Sequence, residues 1–245
     1  MSSAPPIESP ASSAATFLAG GRAAATSVFS LVLFGTYVGV GALAHNYGFG
    51  LGWLLLSTLL VWAGPAQVIL ISALGAGATP LAAAVAVGLS GVRLLPMVVT
   101  LLALIKGTDT RARDLVLPAH LTAASMWVES LRLLPDLPRE ERLAFANGLG
   151  CGFMVAAHVG SVVGFYLAAS LPPVLTAGVL FLTPMSFLVS TARNSKLLVE
   201  RLALAFGLLL GPLLAYAEVG LDLMWTGVLA GSAAYAIHRL REVRR

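Results

Sequence analysis

Two long stretches without a charged side chain limit what this chain can fold into. No Asp, Glu, Lys or Arg occurs in the 70 residues between Arg22 and Arg93, or in the 50 residues between Arg142 and Arg193. One helical crossing of a bilayer needs about 20 mostly apolar residues, so each stretch can hold two. Continuous apolar runs also favour helices over a transmembrane β-barrel, whose strands alternate in polarity. The sequence therefore predicts an all-α, polytopic transmembrane helical bundle.

Composition supports a membrane protein and excludes several other classes. Charged residues make up 11% of the chain, against about 25% in soluble domains. The net charge of +4 comes from residues at span ends and in the tail. That distribution is typical of the positive-inside rule, so the expected partner is the lipid bilayer and no nucleic acid. Cys151 is the only cysteine and indicates neither a disulfide nor a metal site.

The apolar segments predict seven or eight spans, with proline- and glycine-broken helices. Residues 1–20 are predicted to be a disordered tail, 21–240 a single transmembrane domain, and 241–245 a basic cytoplasmic tail. Counting 115–134 as a crossing places 11 of 15 basic residues and both termini on the cytoplasmic side; a re-entrant or surface helix there is the alternative. The predicted spans are 23–44, 51–74, 81–105, 115–134, 145–170, 174–192, 199–218 and 222–238.

Repeated prolines suggest an internal duplication. Pro65 and Pro184 lie 119 residues apart, and Pro96 and Pro212 lie 116 apart. Transporters are often built from repeats with broken helices at matching positions. We therefore predict repeat halves at about 21–134 and 143–240, with chance similarity of apolar spans as the alternative.

The segment from Trp62 to Gln67 is the most specific local motif. Gly64 and Pro65 in mid-span would free backbone groups that lipid cannot satisfy, and Gln67 adds an amide. An unwound helix of this kind can hold the polar head of a zwitterion, with Trp62 as an apolar contact. The alternative is a simple kink with Gln67 bonded to a neighbouring helix.

Arg93 is the only charged residue between Arg22 and Lys106. A guanidinium stays charged and costs roughly 3 kcal/mol at mid-membrane on insertion scales. We expect it to bind a carboxylate or to pair with an intramembrane acid, Glu129 first, with Met97 as an apolar substrate contact. Snorkelling to an interface is the alternative.

Glu129 and His158 are the candidate coupling residues. A buried Glu129 could carry a proton, although a pair with Arg132 three residues on explains it equally well. His158 could relay protons or simply bond across a helix interface. The four histidines show no metal-ligand spacing, and no nucleotide motif occurs. We expect no cofactor and no enzymatic activity; the rival to a transporter is a non-transporting membrane scaffold or assembly subunit.

Small residues recur every four positions along the fifth predicted span. They lie on one helix face, where another backbone can approach closely. Packing inside the bundle is the favoured interpretation, and an interface with a partner subunit is the alternative. The residues are Gly148, Gly152, Ala156, Gly160 and Gly164.

These motifs together resemble the AzlC family of bacterial branched-chain amino acid permeases, over about residues 18–240. The Trp62–Val68 segment is similar to the family's Phe-Ala-Gly-Ala-Ala-Gln-Phe element, and Gly91–Leu94 keeps the arginine of its Asn-Leu-Arg-His element. One departure concerns the acidic pair of the family's fourth segment, which is Ala123 and Ala124 here. The resemblance implies export of branched-chain amino acids across the bacterial inner membrane, together with a small AzlD-type multi-span subunit.

Overall fold

The computed structural model describes residues 13–217, except 108–109 and scattered positions between 171 and 196, and residues 222–243. Regular structure in these parts is helical, as predicted. The chain divides into two compact units, Met1–Thr183 and Pro184–Arg245. This division falls about 40 residues after the predicted boundary between repeat halves. The first described helix begins at Ser13, so residues 13–20 of the predicted tail are helical.

The first unit contains nine α-helices, joined in places by short 3-10 turns, within the described residues. They are α1 (Ser13–Thr26), α2 (Val28–Asn46), α3 (Leu51–Leu60), α4 (Gly64–Gly75), α5 (Pro80–Gly91), α6 (Leu95–Ile105), α7 (Val116–Leu121), α8 (Ala124–Leu133) and α9 (Arg139–Ser170). Three stretches of this unit are long and apolar enough to cross a membrane: α2, the combined Pro80–Ile105 helix and α9.

Helices α1 and α2 pack along α9 through its glycines. A Cβ atom on Gly148 would overlap the carbonyl oxygen of Phe17, and one on Gly164 would overlap that of Val38. The α1–α2 segment and α9 therefore run in the same direction, because the contact passes from Phe17 to Val38 on one side as it passes from Gly148 to Gly164 on the other. The predicted small-residue face therefore packs inside the bundle, as the favoured interpretation expected.

The predicted span 51–74 does not cross the bundle. Its two ends lie together, because Gly75 at the end of α4 packs against the ring of Tyr47, four residues before α3 begins. A continuous helix of this length would hold its ends about 36 Å apart. The chain instead leaves the helix at Val61–Ala63 and restarts at Gly64–Pro65. Helices α3 and α4 therefore form a hairpin, the first hairpin, which enters from the end of the bundle that we call the Tyr47 end.

The predicted span 115–134 is also a hairpin. Arg142 near the start of α9 donates hydrogen bonds to the carbonyl oxygens of Leu104 (3.3 Å), Pro135 (3.3 Å) and Leu137 (3.0 Å). The residues before and after this segment thus meet at one end of the bundle, the Arg142 end. Helices α7 and α8, separated at 122–123, form this second hairpin. The structure replaces the predicted crossing with the re-entrant alternative.

The second unit contains the helices Leu198–Tyr216 and Asp222–Val243, packed on each other. A Cβ on Gly211 would lie 3.7 Å from Thr226, and Pro212 lies inside the first of these helices. Pro184, the predicted counterpart of Pro65, is outside the described residues. The two hairpins of the first unit enter it from opposite ends.

Candidate functional site

The tips of the two hairpins are joined by a pair of crossed hydrogen bonds. The indole Nε1 of Trp62 donates to the carbonyl oxygen of Leu121 (2.8 Å), and Nε2 of His120 lies 2.7 Å from the carbonyl oxygen of Leu59. A carbonyl oxygen can only accept, so His120 carries a proton on Nε2. Trp62 also stacks on Tyr37, with ring centroids 6.0 Å apart. Each broken helix thus satisfies a backbone group of the other.

A cavity of about 260 Å³ lies between the tips and the α5–α6 helix. Its wall is mostly apolar, with a few polar groups where the helices break, as is typical of binding sites for small ligands. The lining includes Trp62, Ala66, Val87, Leu94, His120 and Thr122.

Four helix ends point to the same region. Helix α4 follows Ala63 and α8 follows Ala123, and neither N-terminus receives a hydrogen bond from a capping side chain. Such ends carry free N–H groups and partial positive charge, whereas the ends of α3 and α7 carry carbonyl groups and partial negative charge. The site can therefore accommodate a carboxylate and an ammonium group together.

Gln67 joins the two helices of the first hairpin through hydrogen bonds outside the cavity. It is fully buried, and its Nε2 donates to the hydroxyls of Ser57 (3.0 Å) and Thr58 (2.7 Å). Both hydroxyls donate in turn to the carbonyl oxygen of Leu54, which fixes the orientation of the amide. Oε1 has no hydrogen-bond partner among the described residues. Gln67 thus holds α4 to α3 and does not line the cavity.

Arg93 and Met97 flank the cavity and do not line it. Arg93 belongs to a 3-10 turn, Val92–Leu94. The backbone N–H of Leu95 donates to the carbonyl oxygen of Val92, and Pro96, which has no N–H, follows at the start of α6. Its neighbour Leu94 faces the cavity, so Arg93 points about one third of a turn away. The side chain is exposed, and no hydrogen bond or ion pair joins it to a described residue. The expected pair with Glu129 does not form.

Glu129 and His158 lie outside the cavity. The buried Glu129 carboxylate accepts two hydrogen bonds from Arg132, at 2.6 Å from Nη2 and 3.2 Å from Nε, as in the alternative interpretation. Nδ1 of His158 lies 2.9 Å from the carbonyl oxygen of Met154. His158 lines a separate groove of about 330 Å³ on α9.

The sequence analysis did not predict that residues of the second hairpin line the cavity. His120 and Thr122 line the cavity, and the alanines at 123 and 124 form the uncapped start of α8. The available signal was the polarity of 115–134, since irregular backbone at membrane depth occurs only where protein or a wet cavity surrounds it. In the parts of the chain that the structure describes, no cluster of metal-binding side chains occurs.

Comparison with known proteins identifies the family. Neither the curated proteins nor the solved structures give a match. A family model described as AzlC protein matches residues 27–171, which is more than half of the chain and includes both hairpins. This multi-pass membrane protein therefore belongs to the AzlC family, which is associated with branched-chain amino acid transport.

Proposed function

We propose that this protein is a secondary transporter of the bacterial inner membrane that exports branched-chain or similar small apolar amino acids. The observation that carries the proposal is the meeting of two broken hairpins, from opposite ends of the first unit, around one small cavity. Discontinuous helices that meet at mid-depth are the usual way in which secondary transporters bind charged cargo inside a membrane.

The cavity suits a zwitterion with an apolar side chain. The free N–H groups at the starts of α4 and α8 would receive the cargo carboxylate, and carbonyl groups at the ends of α3 and α7 would face its ammonium group. Val87, Leu94 and Val98 would contact the side chain. A volume of about 260 Å³ is below the roughly 300 Å³ at which most ligand pockets begin, which favours a small cargo.

Arg93 has a separate role in this proposal. It lies next to the lining residue Leu94 but outside the cavity, and its long side chain carries a permanent positive charge. We expect it to attract the cargo carboxylate toward the cavity. The Arg93→Ala variant should lose transport while remaining folded, because no described residue depends on its side chain for a hydrogen bond.

The hairpins also change the proposed membrane topology. Lys106, Arg111 and Arg113 now lie at the Arg142 end together with Arg132 and Arg139. If the predicted segments 174–192, 199–218 and 222–238 cross, six crossings remain and both termini stay on one side. The cytoplasmic side then receives 14 of the 15 basic residues, which agrees with the positive-inside rule better than the predicted 11 did.

A small AzlD-type subunit is the proposed partner, as the family resemblance implies. Among the three membrane-length helices of the first unit, Pro80–Ile105 is the least buried: only 6% of its most apolar window is buried, against 44% for α2 and 39% for α9. This surface, which includes the exposed Leu89, Val92 and Val99, would contact lipid or that subunit.

A flux assay with a matched pair of variants tests the proposal. Val87 lines the cavity, whereas Val32 on α2 is exposed and lies outside it. In cells loaded with a leucine-containing dipeptide, Val87→Phe should abolish leucine export by filling the cavity, and Val32→Phe should export like wild type. Equal export by both variants would exclude this cavity as the pathway.

A binding measurement separates a transporter from a scaffold. Purified protein, with and without the small subunit, should be stabilised by leucine, isoleucine or valine, by about 2.7 kcal/mol at a hundred times Kd. If no amino acid stabilises either preparation and cells show no flux, the chain is a non-transporting membrane component.

A further inference from the structure

His120 has two ring nitrogens with different roles. Nε2 is committed to the carbonyl oxygen of Leu59, at 2.7 Å. Because that oxygen can only accept, the neutral ring must keep its proton on Nε2, and Nδ1 is then an acceptor. Adding a proton to Nδ1 leaves the bond to Leu59 in place. The ring can therefore change charge without breaking the contact between the two hairpin tips.

His120 is also the one imidazole in the cavity wall, among the residues that the structure places there. Helices α3, α4, α5 and α6 carry no Asp, Glu, Lys, Arg or His. Other ionisable groups on the elements around it are Arg93 in the turn between α5 and α6, Tyr37 and His45 on α2, Arg113 and Asp114 before α7, Glu129 and Arg132 on α8, and Arg139, Glu140, Glu141, Arg142, Cys151, His158 and Tyr166 on α9.

We propose that Nδ1 of His120 binds the ammonium group of the cargo and that a proton competes with the cargo for this nitrogen. This inference rests on the proposed function, because it assumes an amino acid in the cavity. One lone pair cannot accept from an ammonium group and hold a proton at the same time. Uptake of a proton at Nδ1 therefore expels the ammonium group, and arrival of the cargo releases the proton.

This competition couples cargo and proton in opposite directions. If His120 takes up a proton on one side of the membrane and binds cargo on the other, the proton and the amino acid cross in opposite directions. A transporter that works in this way is an antiporter. Repulsion between a protonated ring and the ammonium group of the cargo, two positive charges at one site, adds to the competition.

Leucine affinity as a function of pH tests the proposal. Imidazole takes up its proton between pH 8 and 5, and each pH unit below the midpoint weakens a competing ligand tenfold. The Kd of the purified full chain for leucine should therefore rise several-fold or more between pH 8 and 5.5. The Kd for 4-methylpentanoate, which is leucine without its amino group, should not show this rise.

Two variants separate the ring nitrogens. In His120→Gln the amide Nε2 can replace the donor to Leu59, but nothing titrates, so leucine should bind with a Kd that is independent of pH. Trp62→Phe removes the other crossed hydrogen bond and should weaken binding while keeping the pH dependence. A pH-independent Kd in wild type, or a wild-type pH response in His120→Gln, would overturn the proposal and leave the proposed function standing.

A proton-release measurement remains decisive if His120→Gln does not fold. At pH 6.5 in weak buffer with a pH dye, leucine binding to wild type should release protons, and 4-methylpentanoate binding should release none. Leucine binding without proton release refutes the competition. If leucine binds at no pH, the proposed function itself fails.

Discussion

The close packing of α2 on α9 predicts opposite effects for two glycine-to-alanine changes in the same helix. A Cβ on Gly41 would overlap the carbonyl oxygen of Ser161 and lie 2.8 Å from the backbone nitrogen of Phe165. A Cβ on Gly35 would meet nothing within 4 Å. The atoms that Gly41→Ala would strike belong to the backbone of α9, so they cannot rotate away as a flexible side chain could.

The expected difference follows from two terms. Both substitutions gain up to about 1 kcal/mol of helix propensity, so this term cancels when the variants are compared. Gly41→Ala adds the cost of overpacking, about 1–3 kcal/mol. For a chain of this size each kcal/mol shifts Tm by about 2–4 °C. Gly41→Ala should therefore unfold about 2–12 °C below Gly35→Ala.

Thermal unfolding of the purified variants in one detergent measures this difference, with leucine export as a second readout. Gly35→Ala should match or exceed the wild-type Tm and keep its export activity. If Gly41→Ala and Gly35→Ala have the same Tm, α2 and α9 are not packed backbone to backbone at Gly41.

Three further changes test contacts of the hairpins. Trp62→Phe should cost about 1–3 kcal/mol in thermal unfolding, because it leaves the carbonyl of Leu121 buried without a donor; a Tm equal to wild type would contradict the crossed bond. In Arg142→Lys one ammonium nitrogen replaces three guanidinium nitrogens that each contact a different carbonyl oxygen, so limited proteolysis should cleave the turn before α9 faster than in wild type. Arg132→Ala should lower the Tm because it leaves the buried Glu129 carboxylate without its ion-pair partner, and adding Glu129→Gln should restore part of the lost Tm.

Local sequence signals predicted the helical class and the position of one break. Gly64 and Pro65 marked the interruption of the first hairpin because proline lacks a backbone donor and glycine weakens a helix. The second break, at Thr122 and Ala123, contains neither residue. Its only signal was the polarity of His120 and Glu129, and the sequence alone could not say whether these residues lie in a cavity, in an ion pair or in solvent.

The sequence by itself determined that the bilayer is the solvent, that the backbone is helical and that α9 offers a glycine face for close contact. These properties depend on the transfer free energy and size of each side chain, which neighbours in space do not alter. Only the tertiary structure decided that 51–75 and 115–134 turn back. An apolar segment has the same hydropathy whether it crosses or returns, so the choice depends on distant contacts: Gly75 with Tyr47 at one end, and Arg142 with Leu104 and Pro135 at the other.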